Sequence, residues 1–259
     1  MTITSSAVLV ELNISVWTAN KLDREQTDKV NEENSAWRNA AQVRKNLMAG
    51  SHARKQIADY AAGCRLWHNQ KTLPWSDKGV RLMPTSLFLD YKQEANVRRA
   101  TFNGMVDEFL NNYQAHIQIA RNNAEGLGRL FNEDDYPSEE LVKGKFGFRL
   151  VFSPVPESGD FRLDVPRGEM EELRKQYEES FESRLSEAMR EPWDRLHTVL
   201  TAMSKKLTDA EGEEKKRYHD TLITNAQDLC EMLTHLNVTK DPELERARRL
   251  VERSLAGED

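Results

Sequence analysis

Apolar residues recur at intervals of three and four along much of this chain, which is the spacing of amphipathic α-helices. The most regular stripe predicts a long helix with one buried face, and it consists of Phe102, Val106, Phe109, Tyr113, Ile117 and Ala120. Similar stripes follow residue 166, where Pro192 is expected to kink or interrupt a helix. Stripes this narrow on such polar helices need partner helices, from the same chain or from a second copy, so we expect homo-oligomerisation.

Two stretches follow the pattern of β-strands instead. Residues 7–17 (AVLVELNISVW) form a short apolar run that is typical of a largely covered strand. Residues 145–165 predict a hairpin whose alternate rings, Phe146, Phe148 and Phe152, form either a core face or a base-stacking platform. Because no lysine or arginine occupies neighbouring positions on that face, we favour the core. We therefore expect an α+β fold, mostly α, with long amphipathic helices and a small antiparallel sheet made of the N-terminal strand and the hairpin.

The chain between these elements is less regular. Residues 21–34 are charged and nearly free of large apolar side chains, which predicts an exposed helix or a mobile linker. Helical spacing then begins at Trp37 and continues to Leu47, and it predicts a helix that stops at Gly50. A second helix is expected to follow directly.

The composition adds limits on class and location. The chain has 259 residues, of which 38% are hydrophobic and 31% are charged, and no apolar run approaches the roughly 20 residues of a membrane span. The N-terminus lacks the pattern of a signal peptide, so we expect a cytoplasmic protein with no membrane partner. Cys64 and Cys230 are isolated and are expected to be buried thiols. A shift in composition predicts a mixed α+β region over 1–166 and a helical region, suited to self-association, over 167–259.

Positive charge is concentrated in residues 38–99, where twelve lysines and arginines stand against four acids. This segment carries +8 while the whole chain carries −6, so the remainder carries −14. A local excess of positive charge predicts a surface that meets a polyanion, and rings among the cations can stack on unpaired bases. The residues nominated for contact with single-stranded DNA are Arg54, Lys55, Tyr60, Arg65, Trp67, Lys71, Trp75, Lys78, Arg81, Arg98 and Arg99.

The nominated cations would meet phosphates, while Trp75, Trp67 and Tyr60 would stack on bases. Trp75 lies in a basic, turn-rich loop and is the best single candidate for stacking. In the alternative interpretation each ring belongs to the core, Trp75 anchors its loop, and the cations form a solvated helix face.

Signatures of catalysis are missing from the sequence. It contains no HExxH pair, no phosphate-binding P-loop and no GxSxG elbow, so we expect no enzymatic activity, no metal and no cofactor. The acidic run of Glu133, Asp134 and Asp135 can hold Mg²⁺, although contiguous acids in a loop more often stay solvated. A nuclease that uses these acids is a third possibility.

One resemblance supports the nucleic-acid interpretation. The N-terminal strand with Trp17, the loop LPWSDKGVRLMP, the helix FNGMVDEFLNNY and the hairpin GFRLVFSPVP resemble in their order a family of phage proteins, the single-stranded DNA-binding RNA polymerase cofactors of lytic podoviruses. The similarity extends over residues 7–190. It implies a fold other than the OB barrel, binding to unpaired DNA, recruitment of a phage RNA polymerase to melted promoters, and action in the cytoplasm of the infected cell.

Together these patterns predict a protein that binds single-stranded DNA with little sequence preference. The rival prediction is a helical scaffold or interaction protein that has no role with nucleic acid. The first prediction requires the nominated cations to form a continuous groove with exposed rings along its floor.

Overall fold

The protein has an α+β fold that is mostly helical, and this confirms the predicted fold class. The computed structural model describes residues 3–76, 79–122, 125–157, 166–209 and 212–256. The strands are β1 (Ala7–Ser15), β2 (Asn20–Leu22), β3 (Arg44–Asn46), β4 (Leu73–Pro74), β5 (Val80–Pro84) and β6 (Gly147–Ser153). The helices are α1 (Ile3–Ser6), α2 (Arg24–Glu33), α3 (Ala53–Gln70), α4 (Phe88–Asn111), α5 (Tyr113–Arg121), α6 (Glu139–Lys143), α7 (Arg167–Asp209), α8 (Gly212–Leu236) and α9 (Pro242–Ala256).

The main sheet has four strands in the order β4-β5-β1-β6, and β2 and β3 form a separate antiparallel pair. Strand β1 is antiparallel to β5, with Ala7 opposite Pro84 and Glu11 opposite Val80. The predicted N-terminal strand is therefore confirmed. Strand β6 corresponds to the first strand of the predicted hairpin, and most of the predicted return strand falls on residues 158–165, outside the described residues.

The apolar stripe predicted for the central helices is buried along its whole length. It runs through α4 and α5, which are separated by Asn112. The rings of the β6 region pack against this stripe, because the ring centroids of Phe148 and Phe102 lie 5.9 Å apart and those of Phe146 and Phe109 lie 5.8 Å apart. The core interpretation is therefore confirmed for these two rings.

The helix predicted from Trp37 to Leu47 does not form. Helix α2 ends at Glu33, and the chain continues as a loop until the short strand β3. The reason is that two buried side chains of α2, Thr27 and Asn31, bind backbone groups of this segment that a helix would need for its own hydrogen bonds.

The C-terminal helices bury part of the apolar stripes that their spacing predicts, including Ala188, Leu196, Leu233 and Leu244, whereas Trp193 and Leu200 of the α7 stripe are exposed. Helix α7 is 43 residues long and continues through Pro192, so of the two predicted effects of this proline, a kink or an interruption, the interruption does not occur. None of the described helices combines the length and the apolar character that crossing a membrane requires.

The contacts divide the chain into two compact units. Unit 1 comprises Met1–Leu12, Trp67–Glu94 and Leu150–Asp259, and unit 2 comprises Asn13–Leu66 and Ala95–Arg149. The C-terminal helices therefore share a unit with the start of β1, whereas the composition predicts a boundary near residue 166. The composition along the sequence does not predict this division, because each unit is assembled from separate segments of the chain.

Each unit has its own core. In unit 1 the core joins the sheet to the C-terminal helices, with buried side chains that include Leu9, Leu73, Trp75, Leu82, Ala188 and Leu236. In unit 2 the ring of Trp17 packs against Phe109 and Tyr113, at centroid distances of 6.4 and 6.0 Å.

Candidate functional site

Two of the rings nominated for base stacking are interior residues of unit 1. Trp67 and Trp75 are each only 6% exposed. Trp67 stacks on Tyr91 with ring centroids 4.5 Å apart, and Trp75 meets the edge of Phe181 at 5.3 Å. A ring covered on its faces has no surface left for a base, so both rings are withdrawn as stacking candidates and the core alternative holds for them.

A buried polar cluster surrounds Trp67. His68 Nδ1 and the Tyr91 hydroxyl are hydrogen-bonded at 2.7 Å, and both side chains are buried. Burial, helped by the positive charge of Arg81, lowers the pKa of His68 to about 4. The imidazole is therefore neutral at pH 7 and contributes nothing to a positive surface.

Arg81 also serves the interior of unit 1, together with Arg195. Arg81 Nε donates to Thr72 Oγ1 at 2.6 Å, and its Nη2 donates to the Thr72 carbonyl at 3.0 Å. Arg195 donates to the carbonyl oxygens of Asn69 and Gln70 at 2.7 and 2.8 Å. The last carbonyls of a helix carry partial negative charge and lack partners within the helix. Arg195 therefore caps the end of α3, and Arg81, which also donates to the Asn69 carbonyl at 3.4 Å, is a structural residue.

The two nominated arginines of α3 hold backbone carbonyls in unit 2. Arg65 Nη2 donates to the Ile14 carbonyl at 2.7 Å, and Arg54 Nη1 donates to the Trp17 carbonyl at 3.3 Å. They share one face of α3 because eleven residues make three helical turns. That face is directed at the end of β1 and the residues that follow it, so both guanidinium groups already bind a backbone carbonyl.

The remaining nominated residues are held in different ways. Lys55 forms a 2.6 Å ion pair with Asp59, and Arg99 donates to Asn96 Oδ1 at 2.9 Å. The Tyr60 hydroxyl donates to the carbonyl of Arg98 at 3.4 Å. Lys71 is partly buried in unit 1, and Lys78 lies outside the described residues.

The nominated set does not gather in one unit. Among the described residues, unit 2 holds Arg54, Lys55, Tyr60, Arg65, Arg98 and Arg99, and unit 1 holds Trp67, Lys71, Trp75 and Arg81. Neither unit by itself presents the continuous groove with exposed rings that the sequence predicts. The nominated residues that the structure describes in each unit are largely engaged with carbonyls, carboxylates or other rings.

The structure instead exposes a ring that the sequence pattern assigns to a helix face. Trp37 is 81% exposed, whereas Trp17, Trp67 and Trp75 are 6% exposed and Trp193 is 36% exposed. Trp37 belongs to unit 2 and lies in the loop between α2 and β3. Trp37, Ala40, Val43 and Leu47 have the spacing of one face of a helix. For that reason the sequence pattern predicts a helical position for Trp37 and does not predict its exposure.

The loop that carries Trp37 is fixed by hydrogen bonds from buried side chains. Asn31 Nδ2 donates to the carbonyls of Arg38 and Ala41 at 3.0 and 3.1 Å, and Asn31 Oδ1 accepts from the Ala41 amide at 3.0 Å. Thr27 Oγ1 accepts from the Val43 amide at 2.9 Å. Both polar side chains are buried and the bonds are partly buried, so these bonds are partly shielded from water and tie the loop to α2.

The charge around Trp37 is positive on the side of the loop and negative on the side of α2. Residues 34–58 contain five lysines and arginines and no acid. Within this stretch Arg38 and Arg44 are exposed, and Arg38 directly follows the ring. Glu32 and Glu33 end the preceding helix and are also exposed. An exposed ring followed by exposed arginines can serve as a stacking site for a base or as an anchor for a protein partner.

Two of the three acids in the run that the sequence offers as a metal site are paired with cations. Glu133 pairs with Arg121 at 2.6 Å, and Asp135 pairs with Lys21 at 2.8 Å and with buried Lys45. Burial alone would raise the pKa of Asp135, but hydrogen bonds from the two lysines outweigh it and lower that pKa. Within the described ranges no three His, Cys, Asp or Glu side chains gather as metal ligands.

Comparison with known proteins adds no relative. No protein-family model, no curated protein and no solved structure matches this chain. The molecule is therefore defined by its own features: a mostly helical α+β protein in which a fixed loop exposes one tryptophan beside arginine.

Proposed function

We propose that this protein binds single-stranded nucleic acid with little sequence preference, and that Trp37 with Arg38 and Arg44 forms the contact surface. The observation that carries the proposal is the 81% exposure of Trp37 on a loop that buried side chains hold in place. This surface replaces Trp67 and Trp75 as the stacking site and keeps the basic part of the sequence as the binding region.

The exposed Trp37 ring has a free-energy cost in water and gains free energy when it is covered by a base. A large apolar ring in water forgoes the free energy that burial supplies, and a ring on an ordered loop is positioned to gain that free energy against a ligand. Base stacking on an aromatic side chain contributes about 1–3 kcal/mol per base and accepts any base. Arginines next to the ring meet the phosphates that flank the stacked base, and the loop loses little entropy because it is already ordered.

Fluorescence anisotropy with a labelled oligothymidylate tests the proposal. We expect Trp37→Ala to weaken binding by about 1–3 kcal/mol, which is roughly 5- to 150-fold in dissociation constant, while Trp37→Phe retains most of the affinity because it keeps a ring. Arg38→Gln is expected to weaken binding and to reduce its salt dependence by about one charge. The matched control is Arg253→Gln, since Arg253 is an exposed cation on α9 in unit 1.

The sign of the charge effect provides a second check. Glu33 lies on α2 just before the loop, so Glu33→Gln is expected to strengthen binding at low salt by removing repulsion from phosphates. Equal binding by the wild type and Trp37→Ala would overturn the proposed surface. No binding of the wild type at low salt would overturn the function itself.

A second candidate function, a helical interaction protein that self-associates, is favoured by a different observation. Leu66 on α3 and Val97 on α4 are 59% and 62% exposed, and both belong to unit 2. Exposed apolar side chains mark a contact with another protein where they form a contiguous patch, and this candidate requires Leu66 and Val97 to belong to one. Sedimentation of the wild type and of a Leu66→Ser, Val97→Ser variant at several concentrations tests this candidate, since only the wild type should then form larger species. Recruitment of an RNA polymerase rests on the resemblance alone and stays a prediction.

A further inference from the structure

Unit 2 contains a polar surface pocket of about 940 Å³. Three segments line it: residues 21–26 with Lys29 in β2 and α2, Lys45 on β3, and residues 129–132 with Asp135. This volume is in the range of small-molecule sites, which is about 300–1,000 Å³. Its lining is unusual because charged side chains predominate, so the kind of ligand depends on how these charges are balanced.

The inner wall of the pocket is electrically neutral. Lys45 is buried and contacts Asp135, with Asp23 at 3.5 Å, and Lys21 pairs with Asp135 at 2.8 Å. Lys45 Nζ also donates to the Leu130 carbonyl at 3.3 Å. Two lysines and two aspartates therefore neutralise each other and form a fixed frame, which leaves the selectivity of the pocket to the remaining charges.

The outer wall carries two uncompensated arginines. Glu25 and Lys29 pair with each other at 2.7 Å. Arg24 and Arg129 line the same pocket, are exposed, and form no ion pair with any described residue. The lining as a whole therefore has a net charge of +2, and both excess charges are guanidinium groups.

We propose that this pocket binds a small oxyanion with about two negative charges, a phosphate monoester being the class that fits, and that Arg24 and Arg129 are its ligands. A guanidinium group presents paired N–H donors that match two oxygens of a phosphate, and two such groups match the charge of the monoester. The paired lysines and aspartates of the inner wall keep the segments that carry Arg24 and Arg129 in place. Because these pairs are neutral, they do not compete for the anion. The ring of Phe131, also in the lining, offers an apolar surface to the organic part of the ligand.

Calorimetric titration of the full chain with inorganic phosphate and with phenyl phosphate, at constant ionic strength, tests the pocket. We expect saturable binding with a dissociation constant of about 1 mM or lower, tighter for phenyl phosphate than for phosphate, and no comparable binding of acetate. Arg24→Gln and Arg129→Gln are each expected to weaken phosphate binding about tenfold, as loss of one charged hydrogen-bonding group implies. Arg253→Gln is the control and should leave it unchanged.

The outcomes separate this pocket from the Trp37 surface. Trp37→Ala should leave phosphate binding intact, because none of the pocket residues belongs to the Trp37 loop. Absence of saturable phosphate binding, equal binding of acetate, or unchanged affinity in both arginine variants would each overturn the site. None of these results bears on oligonucleotide binding, which is measured separately.

Discussion

Asn31 determines where Trp37 lies, although the two side chains differ in burial and chemistry. Its amide satisfies three backbone groups of the loop, and it does so from a buried position on α2. The spacing of a sequence shows which residues are apolar. It does not show which backbone groups the side-chain amide of a residue on another element will bind. The exposure of Trp37 was therefore beyond the reach of the sequence pattern, whereas the burial of Phe102 and Phe109 was not.

Replacing Asn31 should both destabilise the protein and release the loop. We expect Asn31→Ala to lower the free energy of unfolding by about 1–3 kcal/mol, because buried backbone groups of the loop lose their partner. Asn34→Ala is the matched control, since Asn34 is an exposed residue whose amide donates only to the Val30 carbonyl, and it should change stability by less than about 0.5 kcal/mol. Urea denaturation measures both. Equal values for the two variants would contradict the role of Asn31.

At the scale of elements, the long helices and the first strand follow from apolar spacing, but their ends do not. The end of α3 is completed by Arg195, a residue 125 positions further along the chain than Gln70. A charge count treats Arg81 as a candidate for binding phosphate, because it does not distinguish a guanidinium group that faces solvent from one that binds carbonyls. Only the packing of β5 and α7 in unit 1 makes that distinction.

Removing the cap from α3 should cost stability. Arg195→Gln is expected to lower the free energy of unfolding by about 1–3 kcal/mol, since the carbonyls of Asn69 and Gln70 lose charged donors. Arg190 is on the same helix, exposed, and near only Asp194 at 3.7 Å, so Arg190→Gln should be nearly neutral. Hydrogen exchange at the last turn of α3 should accelerate in the first variant alone. Unchanged exchange there would argue against the cap.

For the molecule as a whole, the protonation of a few side chains should control stability in acid. Burial lowers the pKa of His68 to about 4, so the unfolded chain takes up its proton first as the pH falls. Hydrogen bonds from Arg248 and Arg249 lower the pKa of Glu245 to about 2, and the pKa of Asp135 is also lowered. Carboxylates with lowered pKa values stabilise the fold above their ordinary pKa and lose that contribution as the pH falls.

We therefore expect two declines in unfolding free energy. The first lies between the ordinary histidine pKa of 6.5 and about 4 and comes mainly from His68, so His68→Gln should remove most of it; burial also lowers the pKa of His116, which contributes the remainder. The second begins near the ordinary pKa values of Glu245 and Asp135, which are 4.5 and 3.8, and continues below them. Urea titrations at closely spaced pH values measure both declines. A stability that stays constant from neutral pH down to about 4 would contradict the buried, neutral state of His68.

The most direct test of the Trp37 surface is tryptophan fluorescence during titration with unlabelled oligothymidylate. Stacking quenches the indole that it covers, and four of the five tryptophans are less exposed than Trp37. We expect addition of the oligonucleotide to quench the solvent-exposed, red-shifted part of the wild-type emission, and the same addition to leave Trp37→Phe emission nearly unchanged although that variant still binds. Equal quenching in the two proteins, or binding without quenching in the wild type, would contradict the claim that a base stacks on Trp37.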